Sequence, residues 1–358
     1  MPTQKNTTFV KTLYFMKQLT VMALLSLLGL FSCKAYENLS VEAFQQKLAQ
    51  DGSVQLLDAR TPEEFAQGHL PGAVNIDWLA GSFVDAAKPV LDAARPVLIY
   101  CRSGRRSAEA ASALSKEGFQ VSNLLGGINA WQEAGMPVTT YEVERFCTPG
   151  GAPVEIWLIK HGSLAIAYKG LSIQVDPVIK LGKVTDYAAD FPKADYILIT
   201  HEHGDHLDKD AIEVLGGEVI ANPHSAELLG KGKVLSNGES ANLAEGIHLD
   251  AVPAYNYTEG HLQFHPQGRD NGYILTIDGL RIYIAGDTED IPEIASIKDI
   301  DVAFLPCNQP YTMTVEQCIK AAQTLQPKVL IPYHFGQTDL SGLPAALPGI
   351  DVRLRQMQ

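Results

Sequence analysis

Residues 196–206 read YILITHEHGDH, a short apolar run followed by three histidines and two acidic residues within six positions. The apolar run is typical of a buried strand, and His201 and His203 alternate directly after it. Asp205 and His206 follow at a turn, where they are placed to face a second ion. Buried imidazole and carboxylate groups need a partner, and together they suit zinc, iron or manganese. The stretch therefore predicts a metal site at a strand end.

A site for two metals needs further ligands from the ends of other strands, and the chain supplies them. Asp287 follows the apolar run RIYIAG, His334 follows VLIPY, and His265 lies in FHPQG, ahead of a strand that begins near Gly272. A carboxylate at Asp287 is placed to bridge two ions. His261 is an alternative to His265 as the remaining ligand. Candidate ligands from four segments, with no cysteine among them, indicate an open catalytic site rather than a structural one.

These motifs resemble those of a known family. THEHGDH, AGDT and PYH occur here in the order found in the metallo-β-lactamase superfamily. HGSLAIAYKGLSIQVDP (161–177) and VPAYNYTEGHLQFHPQGRDNGY (252–273) resemble the branch of metal-dependent hydrolases related to ascorbate-lactone hydrolases. The resemblance covers residues 154–334 and implies an αββα sandwich.

The resemblance also implies a ligand set and a chemistry. It assigns His201, His203 and His265 to one ion, and it prefers His265 to His261 because the branch places a His-Pro pair shortly before Gly-Tyr. It implies two divalent metal ions, with zinc favoured over manganese or iron, and hydrolysis by metal-bound hydroxide. The second ion is assigned to Asp205, His206 and His334, with Asp287 between the two ions. Asp205 or Asp287 would orient the hydroxide. Asp176 would support the ligands, and His161 would lie near the pocket.

A second motif, CRSGRRS (101–107), follows the apolar run VLIY and is rich in glycine, serine and arginine. Loop amides, a helix N-terminus and the arginines favour a charged sulfur on Cys101. Four residues separate Cys101 from Arg106, one fewer than in cysteine phosphatases, and the shorter loop fits a sulfur atom rather than a phosphate. Ser107 is predicted to cap the following helix.

This loop belongs to a wider resemblance. CRSGRRS, LLDARTPEEFAQGHLPGAVNI (56–76) and LLGGINAWQEAGMPV (124–138) together resemble the rhodanese family over its whole single-domain length. The resemblance implies a parallel-sheet sulfurtransferase domain in which Cys101 carries a persulfide and Arg106 assists. It implies that thiosulfate or a persulfide binds at Arg102, Ser103, Gly104 and Arg105, and that Asp58 and Arg60 are structural.

The two resemblances divide the chain of 358 residues into an α/β protein of two domains. We predict a signal or lipoprotein segment at 1–37, a rhodanese-like domain at 38–140, a linker at 141–153 and a hydrolase domain at 154–358. The apolar run 21–31 is too short to span a bilayer and ends at Leu-Phe-Ser-Cys, which resembles a lipoprotein box. We therefore expect an exported protein of the bacterial cell envelope, on the periplasmic side and anchored through a lipid on Cys33. A plain cleaved signal peptide is the alternative.

The formal net charge of -13 argues against nucleic acid as a partner, so small molecules are the expected substrates. The favoured function is a two-domain enzyme with a sulfurtransferase and a dinuclear hydrolase. One alternative is a persulfide dioxygenase with one iron, which keeps the same ligands but is disfavoured by VPAYN, FHPQG and the stretch after AGDT. The other is an anchored sulfur carrier without hydrolase activity. A relay of one sulfur compound between the two sites is a further hypothesis.

Overall fold

The computed structural model describes residues 36–357. The predicted signal segment, with Cys33, lies outside these residues. Between Tyr36 and Met357, no helix is long and apolar enough to cross a membrane. The described chain forms a five-stranded sheet followed by two seven-stranded sheets, which confirms the predicted α/β class with a parallel-sheet domain ahead of a sandwich.

The first domain is built on a parallel sheet with strand order β1-β5-β4-β2-β3. Its strands are β1 (Glu37–Leu39), β2 (Gln55–Asp58), β3 (Val74–Asn75), β4 (Val97–Tyr100) and β5 (Val121–Leu124). Its helices are α1 (Val41–Gln50), α2 (Pro62–Ala66), α3 (Phe83–Ala87), α4 (Arg105–Lys116) and α5 (Gly127–Glu133), with a 3₁₀ turn at Trp78–Ala80.

Local sequence explains why these helices form where they do. Helix α1 buries Val41, Phe44 and Leu48, which recur at helical spacing, and the Ser40 hydroxyl accepts a hydrogen bond from the amide of its first turn. Helix α2 begins with a capping box between Thr61 and Glu64. The helices cover both faces of the sheet, so its four central-strand residues Val97–Tyr100 are fully buried.

The second domain contains β6 to β19 and five further helices. Its strands are β6 (Glu142–Cys147), β7 (Pro153–Lys160), β8 (Ser163–Tyr168), β9 (Leu171–Val175), β10 (Tyr196–Ile199), β11 (Glu218–Ala221), β12 (Lys233–Val234), β13 (Ser240–Ala244), β14 (Ile247–Ala254), β15 (Asp270–Ile277), β16 (Leu280–Ile284), β17 (Val302–Pro306), β18 (Val329–Tyr333) and β19 (Asp351–Val352). Its helices are α6 (Tyr187–Asp190), α7 (Lys209–Leu215), α8 (Pro223–Leu229), α9 (Val315–Leu325) and α10 (Leu343–Ala346), with a 3₁₀ turn at Pro292–Ser296.

These strands form two sheets, β12-β11-β10-β9-β8-β7-β6 and β13-β14-β15-β16-β17-β18-β19. The inner faces pack against each other in one apolar core to which both sheets contribute, for example through Ile166 and Leu275. Helices α6 and α7 cover the outer face of the first sheet, and α9 and α10 cover that of the second. The result is the expected αββα sandwich.

The predicted linker at residues 141–153 is wrong in its first half, which forms an edge strand. Strand β6 (Glu142–Cys147) pairs antiparallel with β7 along its length. The sequence EVERFC lacks the two-residue alternation typical of a strand, and its charged residues give it the appearance of a polar connection. Glu144 is buried, and its charge is compensated by ion pairs with Arg353 and Arg355.

The two domains are in direct contact along this edge. The Arg145 guanidinium donates to the Leu48 carbonyl oxygen at 2.7 Å, and the Gly52 amide donates to the Gly151 carbonyl oxygen at 3.0 Å. Gly52 lies before β2, whereas Cys101 lies after β4, and these two strands are parallel. The second domain therefore docks at the end of the sheet opposite the cysteine loop.

Candidate functional sites

The predicted ligands converge at one end of the sandwich, where the two sheets meet. His201 follows β10 of the first sheet, while Asp287 and His334 follow β16 and β18 of the second. The two sheets are tied together there, since the Asn271 amide donates to the Thr200 carbonyl oxygen at 3.0 Å. Strand ends from both sheets thus bring residues distant in sequence to one place.

Ligand atoms of these side chains form three groups, in each of which the atoms lie within 4.8 Å of one another. One group is His201, His203 and His265. Another is His161, Asp205, His206 and His334, and the last is His201, His206 and Asp287. These groups separate into the two triads expected from the sequence, with Asp287 at their junction and His161 as an addition.

Asp287 occupies the centre of the cluster. Its Oδ2 atom lies 3.1 Å from Nε2 of His334 and 3.4 Å from Nε2 of His265, which belong to different triads. Its Oδ1 atom lies 3.4 Å from Nε2 of His206. A carboxylate between two triads is the arrangement needed to bridge two cations.

The chemistry of the site is suited to bound cations, because several of its buried polar atoms have no hydrogen-bond partner in the protein. Orphaned atoms of this kind are costly to bury without a bound group. They are Nε2 of His201, His206, His265 and His334, together with Oδ1 of Asp287. Imidazole nitrogen with carboxylate oxygen is also the donor set of zinc and related divalent ions.

Three of the histidines are oriented by a partner on the opposite ring nitrogen. Nδ1 of His206 donates to Asp176 at 2.9 Å, and Nδ1 of His265 donates to Asp270 at 2.9 Å. Nδ1 of His201 lies 3.0 Å from the Thr200 hydroxyl oxygen, whose own proton goes to Asp176. These contacts fix the tautomer so that Nε2 keeps a free lone pair towards the cluster.

The electrostatics of the cluster reflect competition between burial and opposite charge. Burial disfavours protonation of His265, but the hydrogen bond to Asp270 and the nearby Asp287 carboxylate outweigh it and raise the pKa of His265 to about 9. Burial likewise opposes protonation of His334, but the nearby carboxylates of Asp287 and Asp205 outweigh it and raise the pKa of His334 to about 10. The carboxylates therefore stabilise positive charge at the centre of the site, and a bound cation would supply that charge in place of the imidazole protons.

The remaining histidines of the domain lie outside the cluster. His261, the alternative to His265, instead places Nδ1 3.2 Å from the buried carboxylate of Glu289. His224 and His248 are largely exposed, at 45% and 40% of their side chains. The geometry thus favours His265 as the ligand.

A supporting pair that the sequence patterns did not single out lies beside His203. Glu202 forms an ion pair with Arg269 at 2.9 Å, and Arg269 in turn contacts the Asp270 carboxylate that orients His265. Glu202 sits within the motif HEHGDH and Arg269 directly precedes Asp270. The signal was therefore present, but an ion pair between distant segments is visible only once the chain is folded.

The cysteine loop begins directly after β4 and encloses Cys101, which is 1% exposed. The Ser107 hydroxyl donates to Cys101 Sγ at 3.3 Å. Helix α4 begins at Arg105, with Gly104 at the cap in a left-handed conformation, so the prediction that Ser107 caps the helix is wrong. Ser107 lies in the first turn, because a glycine with φ of 86° makes the tight entry that a side chain would strain.

The arginines of the loop have different surroundings. Arg106 forms a two-pronged ion pair with Glu64, both distances being 2.8 Å. Arg102, Ser103 and Arg105 are exposed. Asp58 and Arg60 form an ion pair of 2.6 Å, and both residues are buried.

Comparison with known proteins gives the same two parts. Residues 155–334 match the sequence model of a family described as a beta-lactamase superfamily domain, and residues 40–134 match that of a rhodanese-like domain. A UPF0173 metal-dependent hydrolase of Archaeoglobus fulgidus is 31% identical over 195 residues, which cover 50% of this chain and 81% of that protein. One from Thermus thermophilus is 31% identical over 192 residues, covering 51% and 84%.

Solved structures agree for the second domain. A candidate metal-dependent hydrolase from Parabacteroides distasonis is 56% identical, with a TM-score of 0.59, and the match covers 61% of this chain and 100% of that one. Igni18, a metallo hydrolase from Ignicoccus hospitalis, is 25% identical with a TM-score of 0.50, and the match covers 57% and 95%.

Proposed function

The chain belongs to the beta-lactamase superfamily through residues 155–334, and from this membership we propose that its second domain is a hydrolase that works with two divalent metal ions. The observation that carries the proposal is the position of Asp287, whose carboxylate faces histidines of both triads at 3.1 to 3.4 Å. One ion would bind only some of the seven converging side chains, whereas two ions would use all of them. The relatives named metal-dependent hydrolases support the same reaction class.

The residues of the chain would share the work as follows. His201, His203 and His265 would hold one ion, and Asp205, His206 and His334 the other, with Asp287 common to both. Divalent ions bound there supply Lewis acidity, which polarises a carbonyl or phosphoryl oxygen and makes water nucleophilic at neutral pH. Asp205, whose side chain is 37% exposed, is the ligand of the second triad most open to solvent and would orient the attacking water.

Elemental analysis of the purified protein tests this proposal, combined with assays on ester, lactone, amide and phosphodiester substrates. We expect two zinc or manganese ions per chain and turnover that a chelator abolishes and added metal restores. One iron per chain, with oxygen uptake on glutathione persulfide, would instead establish the dioxygenase alternative.

For the first domain we propose sulfur transfer at Cys101. Its thiolate would take the outer sulfur of thiosulfate and release sulfite, and cyanide would then remove that sulfur as thiocyanate and restore the thiolate. The first-turn amides of α4 and the cation of Arg106 would stabilise the anionic substrate. Cys101→Ser is expected to abolish thiocyanate formation, whereas Cys147→Ser, which alters an exposed cysteine, should leave it intact. Activity in Cys101→Ser would contradict the assignment.

We also propose that the protein is located in the cell envelope, where a lipid on Cys33 anchors it on the periplasmic side. The support is the apolar run 21–31 and the Leu-Phe-Ser-Cys motif that ends it. Cys33→Ala should move the protein from the membrane fraction to the soluble fraction. An unmodified Cys33 in a membrane-free wild-type protein, detected by mass spectrometry, would refute the anchor.

A further inference from the structure

The turn between β7 and β8 is built to approach the second triad closely. His161 adopts a left-handed conformation with φ of 48°, which is uncommon for a residue other than glycine. The carbonyl oxygen of His161 accepts the amide proton of His334 at 3.1 Å. A Cβ atom on Gly162 would lie 2.7 Å from Cε1 of His206, so glycine is required for the turn to lie this close.

This turn directs the His161 ring at the carboxylate of Asp205. Nε2 of His161 lies 3.0 Å from Oδ2 of Asp205, and its ring centroid is 3.7 Å from that of His334. The ring is only partly exposed, at 17% of the side chain. Asp205, at 37% exposure, is by contrast the most exposed member of its triad and has the greatest need of a group that fixes it.

The ring nitrogens distinguish His161 from the metal-binding histidines. In His201, His206 and His265 a partner holds Nδ1 and leaves Nε2 free to bind an ion. In His161 it is Nε2 itself that makes a hydrogen bond to a carboxylate, whereas the Nε2 atoms of His206, His265 and His334 lie near Asp287 without forming one. A carboxylate accepts only when the ring nitrogen carries a proton, and a protonated nitrogen has no lone pair for a metal.

We propose that His161 is a positioning residue, which donates from Nε2 to Asp205 and thereby sets the affinity of the second cation site. This rests on the proposed dinuclear centre. The contact holds Oδ2 of Asp205, the carboxylate oxygen that lies 3.7 Å from Nε2 of His334 in the same triad. Removing a partner that orients a metal ligand lowers metal affinity by about 10- to 100-fold.

Two substitutions separate the hydrogen bond from the backbone conformation. In His161→Gln the amide nitrogen of the new side chain reaches the place of Nε2, whereas in His161→Asn the side chain is too short. Asparagine nevertheless tolerates the left-handed conformation better than glutamine does. Positioning therefore predicts that His161→Gln retains the second ion and His161→Asn loses it, while a purely conformational role predicts the reverse order.

The measurement is equilibrium dialysis of the full chain against Co²⁺, with visible absorption of the bound ion and with thermal unfolding to establish that each variant is folded. We expect the wild type, His161→Gln and the control His248→Gln to bind two ions with the same absorption bands. We expect His161→Asn to bind the second ion about 10- to 100-fold more weakly and the first ion normally.

Each other outcome overturns the proposal. Equal second-site affinity in wild type and His161→Asn would show that His161 does not act on Asp205. Changed absorption bands in His161→Gln with two ions bound would show that His161 is itself a ligand. A wild type that binds one ion would refute the dinuclear centre as well as the role of His161.

Discussion

Oδ2 of Asp287 lies 3.1 Å from Nε2 of His334. Both residues are buried, so only groups within the cluster can compensate their charges. The pair joins the ends of β16 and β18, which are separated in the sheet by β17. Asp287 reaches the other triad through His265 at 3.4 Å. One carboxylate therefore connects ligands from three segments, and its removal should affect both ions together.

We expect Asp287→Ala to remove both metal ions and His203→Ala to remove only the ion of its own triad. The reason is that Asp287 faces both triads, whereas His203 groups with His201 and His265 alone. Affinity at each affected site should fall by more than about 100-fold, the upper range for loss of a group that merely orients a ligand. Elemental analysis after dialysis gives the stoichiometry. Two ions in Asp287→Ala would rule out its bridging role.

Gly162 should be intolerant of a methyl group, whereas Gly204 should accept one. A Cβ at Gly162 meets the His206 ring at 2.7 Å, while a Cβ at Gly204, within the HEHGDH motif, has no atom within 4 Å among the described residues. Neither glycine has a positive φ, so only contact distinguishes them. Gly162→Ala is expected to lower second-site metal affinity and stability by about 1–3 kcal/mol. Equal metal content and melting temperature in both variants would show that the turn relaxes freely.

The sandwich could be predicted from the hydrophobic pattern of its strands. The ligands could be predicted because histidines and aspartates directly follow those strands in the sequence. YILIT, VAFLP and VLIPY are continuous apolar runs because their strands are covered on both faces. The choice between His265 and His261 rested on a family pattern, since both lie in one loop and only folding shows that Glu289 holds His261. Strand β6 was missed because its one buried charge, on Glu144, is compensated by Arg353 and Arg355, more than 200 residues away. Such compensation is a tertiary fact that no local pattern carries.

Because of the Glu64–Arg106 ion pair, the stability of the first domain should decrease as the pH becomes acidic. The Arg106 hydrogen bonds lower the pKa of Glu64 to about 2, below the ordinary value of about 4.3 in an unfolded chain. Because the folded pKa is the lower one, the stabilisation is complete above about pH 5 and is lost as pH falls towards 2. Glu64→Gln should cost roughly 1–2 kcal/mol at pH 7 and little near pH 2.

Thermal unfolding at several pH values between 7 and 2.5 checks this dependence. Glu133→Gln, which alters an exposed glutamate of the same domain, serves as the control and should change stability by less than about 0.5 kcal/mol at every pH. A Glu64→Gln deficit that stays constant down to pH 2.5 would show that the pair is not the source of the effect.

The docking of the two domains argues against the relay hypothesis, in which one sulfur compound passes from the cysteine loop to the metal centre. The hypothesis assumed a flexible connection, but β6 is hydrogen-bonded into the second domain and Arg145 fastens it to Leu48. Docking occurs at the starts of the parallel strands, near Gly52, and Cys101 lies at their ends, roughly 13 Å further along a four-residue strand. A persulfide on Cys101 therefore faces away from the interface.

We accordingly expect the two activities to be independent in the intact chain. Cys101→Ser should leave turnover by the second domain unchanged for every substrate that the wild type hydrolyses, and Asp287→Ala should leave thiocyanate formation unchanged. A sulfur compound released from Cys101 would reach the metal centre only by diffusion through solvent. Free thiol added to the solution should therefore react with it first. The deciding measurement is turnover of glutathione persulfide by wild type and Cys101→Ser at low enzyme concentration, with metal content verified in both. A rate in Cys101→Ser at least tenfold lower, at equal metal content, would show that sulfur does pass from the cysteine loop to the metal centre and that the domains must move apart to permit it.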